Sequence, residues 1–86
     1  MAGTMQALTI DTRGLSCPLP VLKVRKAMRS MEPGRAVQIL ATDPLAEQDL
    51  RAYCEASGCA FLSVDKLDGD VLCIVIQKRR GPAPIV

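Results

Sequence analysis

The residue best suited to chemistry in this chain is a cysteine next to two prolines. Residues 14–20 read GLSCPLP, so that Cys17 is followed by Pro18 and Pro20. Proline is tolerated in the first turn of a helix, because the N–H it lacks would have no partner there. It also disfavours helical dihedral angles in the residue before it. We therefore expect Cys17 at or just before the N-cap of a helix, with its side chain accessible.

The charge around this segment predicts a reactive thiol. The first N–H groups of a helix have no internal partner and carry partial positive charge, which stabilises a thiolate. The N–H of Leu19, and that of Val21, remain as donors to the sulfur. Four nearby basic residues should act in the same direction: Arg13, Lys23, Arg25 and Lys26. We therefore predict a pKa of Cys17 below the usual range, against the alternative of an ordinary turn cysteine whose prolines only begin a helix.

Hydrophobic periodicity divides the chain into six elements. Strands are predicted over residues 6–11, 36–42, 60–67 and 71–78; the first shows apolar alternation, and the last is apolar throughout residues 71–76. Helices are predicted at two places: one opens at residues 18–20 and runs to about residue 31, and one begins at the capping sequence of residues 42–44 and ends near residue 58. The Asp-Gly pair at 68–69 indicates a tight hairpin. The order β-α-β-α-β-β predicts an α/β two-layer sandwich, in which two helices pack on a four-stranded mixed sheet.

Length and composition limit the function classes. The 86 residues suffice for one domain, which we place at 6–80 with flexible tails at 1–5 and 81–86. A net charge of +2 and only two aromatic residues argue against nucleic-acid binding. The chain has no histidine, and its four cysteines lack the paired spacing of zinc sites, so we expect no metal. We see neither an export signal nor a membrane-spanning stretch, and therefore expect a cytoplasmic protein without direct membrane contact.

The segment around Cys17 also resembles a known family. Residues 15–21, LSCPLPV, followed by Val24-Arg25-Lys26, are similar to the signature of the TusA/SirA sulfur carriers, which is a Cys-Pro-x-Pro motif opening the first helix. The resemblance extends over roughly residues 8–80. Its further matches are Asp11, Gly14, the MEPG of residues 31–34, Asp43-Pro44 and Asp49. It differs from some members at Ser16 and Leu19, where they have arginine and an acidic residue.

The resemblance implies both a fold and a function. It implies two helices on one face of the sheet, and a Cys17 that takes a sulfane sulfur from a cysteine desulfurase or a rhodanese as a persulfide. An acceptor protein then receives the sulfur, in tRNA thiolation, molybdenum cofactor maturation or sulfur oxidation. Such a carrier acts stoichiometrically and needs no cofactor. We expect no independent turnover from it.

Several side chains near the motif are candidates for docking a partner. They are Arg13, Leu19, Lys23, Arg25, Lys26 and Asp43. We expect the other three cysteines, Cys54, Cys59 and Cys73, to be structural. The alternatives to a carrier are a small RNA-binding or regulatory module, for which Lys78-Arg79-Arg80 would supply charge, and a thiol-dependent reductase, which would need a resolving cysteine.

Overall fold

The predicted element order and fold class are confirmed. The computed structural model describes residues 8–79, so the predicted tails and the outermost residues of the predicted domain lie outside the described range. The strands are β1 (Leu8–Thr12), β2 (Ala36–Ala41), β3 (Ala60–Lys66) and β4 (Leu72–Gln77), and the helices are α1 (Leu19–Arg29) and α2 (Ala46–Ser57). Within residues 8–79, no helix is long and apolar enough to cross a membrane.

The four strands form one mixed sheet in the order β1-β2-β4-β3. Strand β1 pairs in parallel with β2, with Ile10 opposite Ile39, and β4 lies antiparallel between β2 and β3. Because β1 and β2 are parallel neighbours, the loops that follow them leave the sheet at the same edge. The loop after β1 carries Cys17, so this edge positions the site.

The core lies between the sheet and the two helices. Alternate residues of the central strands face it and are fully buried, among them Val37, Ile39, Ile74 and Ile76. The helices contribute residues at helical spacing: Val24 and Met28 from α1, and Ala46, Leu50 and Cys54 from α2. The predicted position of Cys54 on the apolar face of the second helix is therefore confirmed. In this α/β two-layer sandwich, rotation of either helix about its axis would expose these buried residues to solvent. The buried residues therefore fix the orientation of each helix on the sheet.

Helix α1 ends two residues earlier than predicted. The N–H groups of Ser30 and Met31 donate to carbonyls three residues back, Ala27 and Met28, so the last turn tightens and the α-helix stops at Arg29. The Nζ of Lys78 donates to the carbonyl oxygens of Met28 and Met31, both at 2.6 Å. A lysine at this position adds a donor to carbonyls at the end of the helix and complements the helix dipole.

The β3–β4 hairpin is antiparallel as predicted, but its loop is longer than the expected tight turn. A 3-10 turn at Asp68–Asp70 connects the strands, and the N–H of Leu67 donates to the carbonyl of Val71 at 2.6 Å. Gly69 and Asp70 both have positive φ, of 67° and 65°. The Asp-Gly pair therefore predicted where the turn lies, whereas the pairing of β3 with β4 determined the length of the loop.

Candidate functional site

Cys17 lies on the loop between β1 and α1, just outside the helix, as predicted. Helix α1 has Pro18 as its N-cap and Leu19 as its first residue, and Pro20 is buried in its first turn. The Cys17–Pro18 peptide bond is cis. The N–H of Leu19 donates to the carbonyl of Ser16 at 2.7 Å. That N–H was expected to serve the sulfur, so one of the two predicted donors is occupied by the loop itself.

A second loop, between β2 and α2, holds the first one in place. The N–H of Gly14 donates to Thr42 Oγ1 at 2.9 Å, and the N–H of Cys17 donates to Asp43 Oδ2 at 2.5 Å. The other oxygen of Asp43 accepts the N–H of Leu45 at 2.9 Å. The Leu45 N–H, and then the Cys17 N–H, hold the pKa of Asp43 below its ordinary value. Asp43 therefore ties the backbone of Cys17 to the start of the second helix.

The expected role of residues 42–44 as a cap of the second helix is wrong. Helix α2 begins at Ala46 with Leu45 as its N-cap, and no side chain caps it. The hydroxyl of Thr42 and one carboxylate oxygen of Asp43 bond to the loop that carries Cys17, and the other oxygen of Asp43 accepts the N–H of Leu45 just before the helix. Asp43 is also a candidate docking residue; its contacts hold the backbone of Cys17, and its docking role stays a prediction.

The four thiols differ in accessibility. Cys17 is exposed, Cys59 and Cys73 are half-buried, and Cys54 is buried with 3% of its surface exposed. Burial, and then the neighbouring Cys59, raise the pKa of Cys54 to about 11. A buried thiol that stays protonated is a poor nucleophile. Among the cysteines, Cys17 alone combines an exposed sulfur with a helix start.

The predicted low pKa of Cys17 is wrong in direction. Its pKa is raised, first by a hydrogen bond to the carboxylate of Asp49, then by desolvation and by the charges of Asp49 and Asp43. A carboxylate that accepts the S–H bond favours the thiol, and its negative charge disfavours the thiolate.

Two of the four basic residues that were expected to lower the pKa of Cys17 are bonded elsewhere. Arg13 forms a bidentate pair with Asp11, with Nε–Oδ1 and Nη2–Oδ2 distances of 2.9 Å. This pair keeps the pKa of Asp11 far below its ordinary value. The Nζ of Lys23 donates to the carbonyl of Asp11 at 2.7 Å. Both cations are therefore directed toward the end of β1 rather than toward the sulfur.

The remaining predicted docking residues lie on α1. Leu19 is 49% exposed, and Leu22, one turn along, is 47% exposed. Arg25 and Lys26 are also exposed, and α1 contains no acidic residue. Side chains of this kind, apolar at the centre and charged around it, are typical of a protein-binding patch. The patch borders the loop of Cys17.

A groove lies between the two helices. We call it the interhelical groove, and its volume is about 510 Å³. It is lined by Val21, Arg25, Asp49, Ala52, Tyr53, Ala56 and Ser57. Asp49 is the member of this set whose carboxylate raises the pKa of Cys17. Within residues 8–79, no group of three or more cysteine, aspartate or glutamate residues is arranged to hold a metal ion.

Sequence reasoning assigned no role to Asp49, although the residue matched the family pattern. Two signals could have found it. Parallel β1 and β2 bring their following loops to one edge, and Asp49 lies in the first turn of the helix after the second loop. The helix dipole favours an acidic residue in the first turn, so the sequence alone suggests that Asp49 only stabilises its own helix.

Comparison with known proteins identifies the family. The model of the family described as "Sulfurtransferase TusA" matches residues 8–78. A candidate sulfur carrier protein of Neisseria meningitidis serogroup A is 39% identical over 75 residues, which are 87% of this chain and 100% of the relative. A candidate sulfur carrier protein of Aquifex aeolicus is 37% identical over 84 residues, 98% of this chain. The chain spans only 43% of the length of that second relative.

The fold has a close counterpart among solved structures. The crystal structure of a SirA-like protein from Desulfitobacterium hafniense matches with a TM-score of 0.74 and 29% sequence identity. The match covers 84% of this chain and 97% of that one. Family model, relatives and solved structure indicate the same family. The chain therefore belongs to the TusA/SirA family of sulfur carrier proteins.

Proposed function

We propose that the protein carries sulfur as a persulfide on Cys17, which it receives from a donor enzyme and passes to an acceptor protein. The observation that carries this proposal is the exposed Cys17 thiol on a loop braced by Thr42 and Asp43. Family membership supports it, since the relatives are named as candidate sulfur carriers. The site is open at the surface, which suits transfer between two proteins.

The transfer is a thiol exchange in two equivalent steps. The Cys17 thiolate attacks the terminal sulfur of the donor's persulfide, a new S–S bond forms on Cys17, and the donor's cysteine leaves as a thiolate. The proton lost by Cys17 balances the one taken up by the donor's thiolate. An acceptor cysteine then attacks the outer sulfur in the same way and releases Cys17. No electrons are gained or lost overall, so the exchange needs no redox cofactor.

The donor is a cysteine desulfurase or a rhodanese-type enzyme, and α1 provides the docking surface for it. Leu19 and Leu22 supply exposed apolar area, and the exposed cations Arg25 and Lys26 lie on the same helix. Complementary charge accelerates the encounter of two proteins and orients them. We therefore assign an acidic surface to the partner. tRNA thiolation, molybdenum cofactor maturation and sulfur oxidation are the destinations for the sulfur that the family implies.

Mass spectrometry tests the carrier function directly. The protein is incubated with a cysteine desulfurase and cysteine, and its intact mass is measured before and after reduction. We expect a reducible gain of about 32 Da, which is one sulfur atom, on the peptide that contains Cys17. Cys17→Ser should abolish the gain, whereas the matched control Cys73→Ser should keep it. The proposal would be refuted by a gain that persists in Cys17→Ser, or by no gain with either a cysteine desulfurase or a rhodanese as the donor.

The observed positions of the aromatic residues do not favour the alternative of an RNA-binding module. The ring of Phe61 is covered by the guanidinium of Arg51, 4.1 Å from its centroid, and Tyr53 is half-buried against the core. These are the chain's two aromatic residues, so no exposed pair of rings is available for stacking bases. A thiol-dependent reductase would need a second thiol to resolve its disulfide, and Cys54 on α2 does not suit that role because it is buried.

A further inference from the structure

We propose that a pocket at the C-terminal ends of the two helices binds a phosphate group, either inorganic phosphate or the phosphate of a small monoester. We call it the basic pocket. It lies beside the last turn of α1, which is roughly 15 Å along the helix axis from the loop of Cys17. The inference is therefore separate from the proposed sulfur transfer and does not depend on it.

The basic pocket is a cavity of about 250 Å³ that four cations line. Arg25 and Arg29 come from α1, and Lys78 and Arg79 directly follow β4. Among the described residues that line the cavity, none is acidic. Its volume lies below the range of about 300–1,000 Å³ that is usual for drug-sized ligands. The pocket therefore suits a small ligand of negative charge.

The two arginines of α1 carry charge that the fold does not neutralise. Arg25 and Arg29 are exposed and lie one helical turn apart, and like charges at this spacing destabilise a helix. Helix α1 contains no acidic residue to offset them, and in the described part of the chain neither arginine forms an ion pair. Guanidinium groups bind phosphate oxygens through paired hydrogen bonds. A phosphate between these two side chains would supply the charge that neutralises both.

The other two cations lie against the ends of the helices. Lys78 Nζ donates to the carbonyl oxygens of Met28 and Met31 at the end of α1. Arg79 packs over Gly58, the C-cap of α2, where an added Cβ would lie 2.5 Å from its Nη1. Each helix end carries a partial negative charge of about half an elementary charge, which opposes an anion. Lys78 and Arg79 offset it, so the positive charge of the α1 arginines remains available to a ligand.

The number of cations favours phosphate over the carboxylate of a protein partner. A phosphate monoester carries a charge of about −1.5 to −2 and three acceptor oxygens, whereas a carboxylate carries one charge on two oxygens. The basic pocket also adjoins the interhelical groove, since Arg25, Tyr53 and Ser57 line both. Ala52 and Ala56 line the groove beyond them. A monoester would place its phosphate among the cations and its organic part along this groove.

Amide chemical shifts, followed by NMR while phosphate is added, test the site. Inorganic phosphate and phenyl phosphate are titrated into the wild-type protein at neutral pH, with sodium chloride at matched ionic strength as the reference. We expect saturable shifts at residues 57–59 and none in the hairpin loop at 68–70. Tighter binding of phenyl phosphate, with shifts that extend to Ala52 and Ala56, identifies a monoester as the ligand. Equal or weaker binding of phenyl phosphate identifies inorganic phosphate.

Arg29→Gln decides whether the cations of the basic pocket hold the phosphate. Arg29 is exposed, so the variant should keep its fold, which its spectrum checks before any addition. We expect the Kd for phosphate to rise about tenfold or more, because a hydrogen bond between charged groups is lost. Arg29→Lys keeps the charge and should recover part of the affinity. Lys66→Gln, which removes one exposed charge at the opposite end of β3, is the matched control and should bind as the wild type does.

Four results overturn the proposal. The first is the absence of saturable shifts with either phosphate compound, and the second is a set of shifts that sodium chloride reproduces at equal ionic strength, which reports only general screening. The third is an Arg29→Gln protein that binds phosphate as tightly as the wild type. The fourth is a response to a glutamate-rich peptide but not to phosphate, which assigns the basic pocket to a protein partner. The titration needs no sulfur donor, so its result and that of the persulfide experiment are independent.

Discussion

Gly14→Ala measures how much the loop of Cys17 depends on a left-handed residue. Gly14 has a φ of +82°, and an added Cβ would meet nothing within 4 Å. The cost therefore comes from the backbone alone, at about 1–2 kcal/mol for a left-handed residue with a Cβ. Alanine also reduces the conformational entropy of the unfolded chain, which offsets about 0.4–1 kcal/mol of this cost. We expect a net loss of about 1 kcal/mol in the free energy of unfolding, or roughly 4–8 °C in Tm for a domain of this size.

Urea denaturation of the wild type, Gly14→Ala and Gly14→Asn is the assay. Asparagine tolerates positive φ better than alanine, so Gly14→Asn should recover part of the loss. The variants should also load sulfur more slowly than the wild type at a temperature where all are folded, because the N–H of Gly14 anchors the loop to Thr42. A Gly14→Ala protein as stable as the wild type would refute the reasoning. A loss above about 3 kcal/mol would also refute it, because only a steric clash produces such a cost.

Two further predictions concern charge and ionisation. Lys26→Glu should slow association with the sulfur donor several-fold at low ionic strength, and the difference should shrink as salt is added. Lys66→Glu, an exposed charge reversal on β3, is the matched control, and an equal effect of both in stopped-flow kinetics would exclude a specific surface on α1. The pKa of Cys54 is raised from 9.0 to about 11, chiefly by burial, so the unfolded chain loses this proton first as pH rises. The native state then binds more protons than the unfolded state, and stability should fall between about pH 9 and about pH 11. Urea midpoints over this range should show that Cys54→Ala has lost this part of the pH dependence, and an unchanged slope would contradict the assignment.

The sequence was sufficient for the elements and for the position of Cys17. Apolar periodicity is local, and the spacing of Val24 and Met28 on α1 or of Val37 and Ile39 on β2 survives in the fold because each pattern faces one core. The prolines act within two residues of Cys17, and their steric effect on the backbone is the same in any tertiary context. Both properties are therefore predictable from neighbours in sequence.

The electrostatics of the site could not be predicted in this way. The helix start and the basic residues pointed to a thiolate, but the groups that touch Cys17 come from the loop after β2, and Asp43 is 26 residues away in sequence. Arg13 and Lys23 are near Cys17 in sequence and are bonded to Asp11 in space. The interaction of charged groups depends on their distance in three dimensions, and sequence spacing is a poor guide to that distance across a loop.

The amino-acid sequence by itself determined the order of strands and helices, the exposed thiol before α1 and the family. Tertiary structure alone decided that β4 lies between β2 and β3, that Thr42 and Asp43 brace the neighbouring loop, and that the carboxylates of Asp49 and Asp43 raise the pKa of the Cys17 thiol. The physical reason is the range of the interactions. Backbone dihedral preference and apolar periodicity act over a few residues, whereas strand pairing and the protonation of a thiol depend on groups that only the folded chain brings into contact.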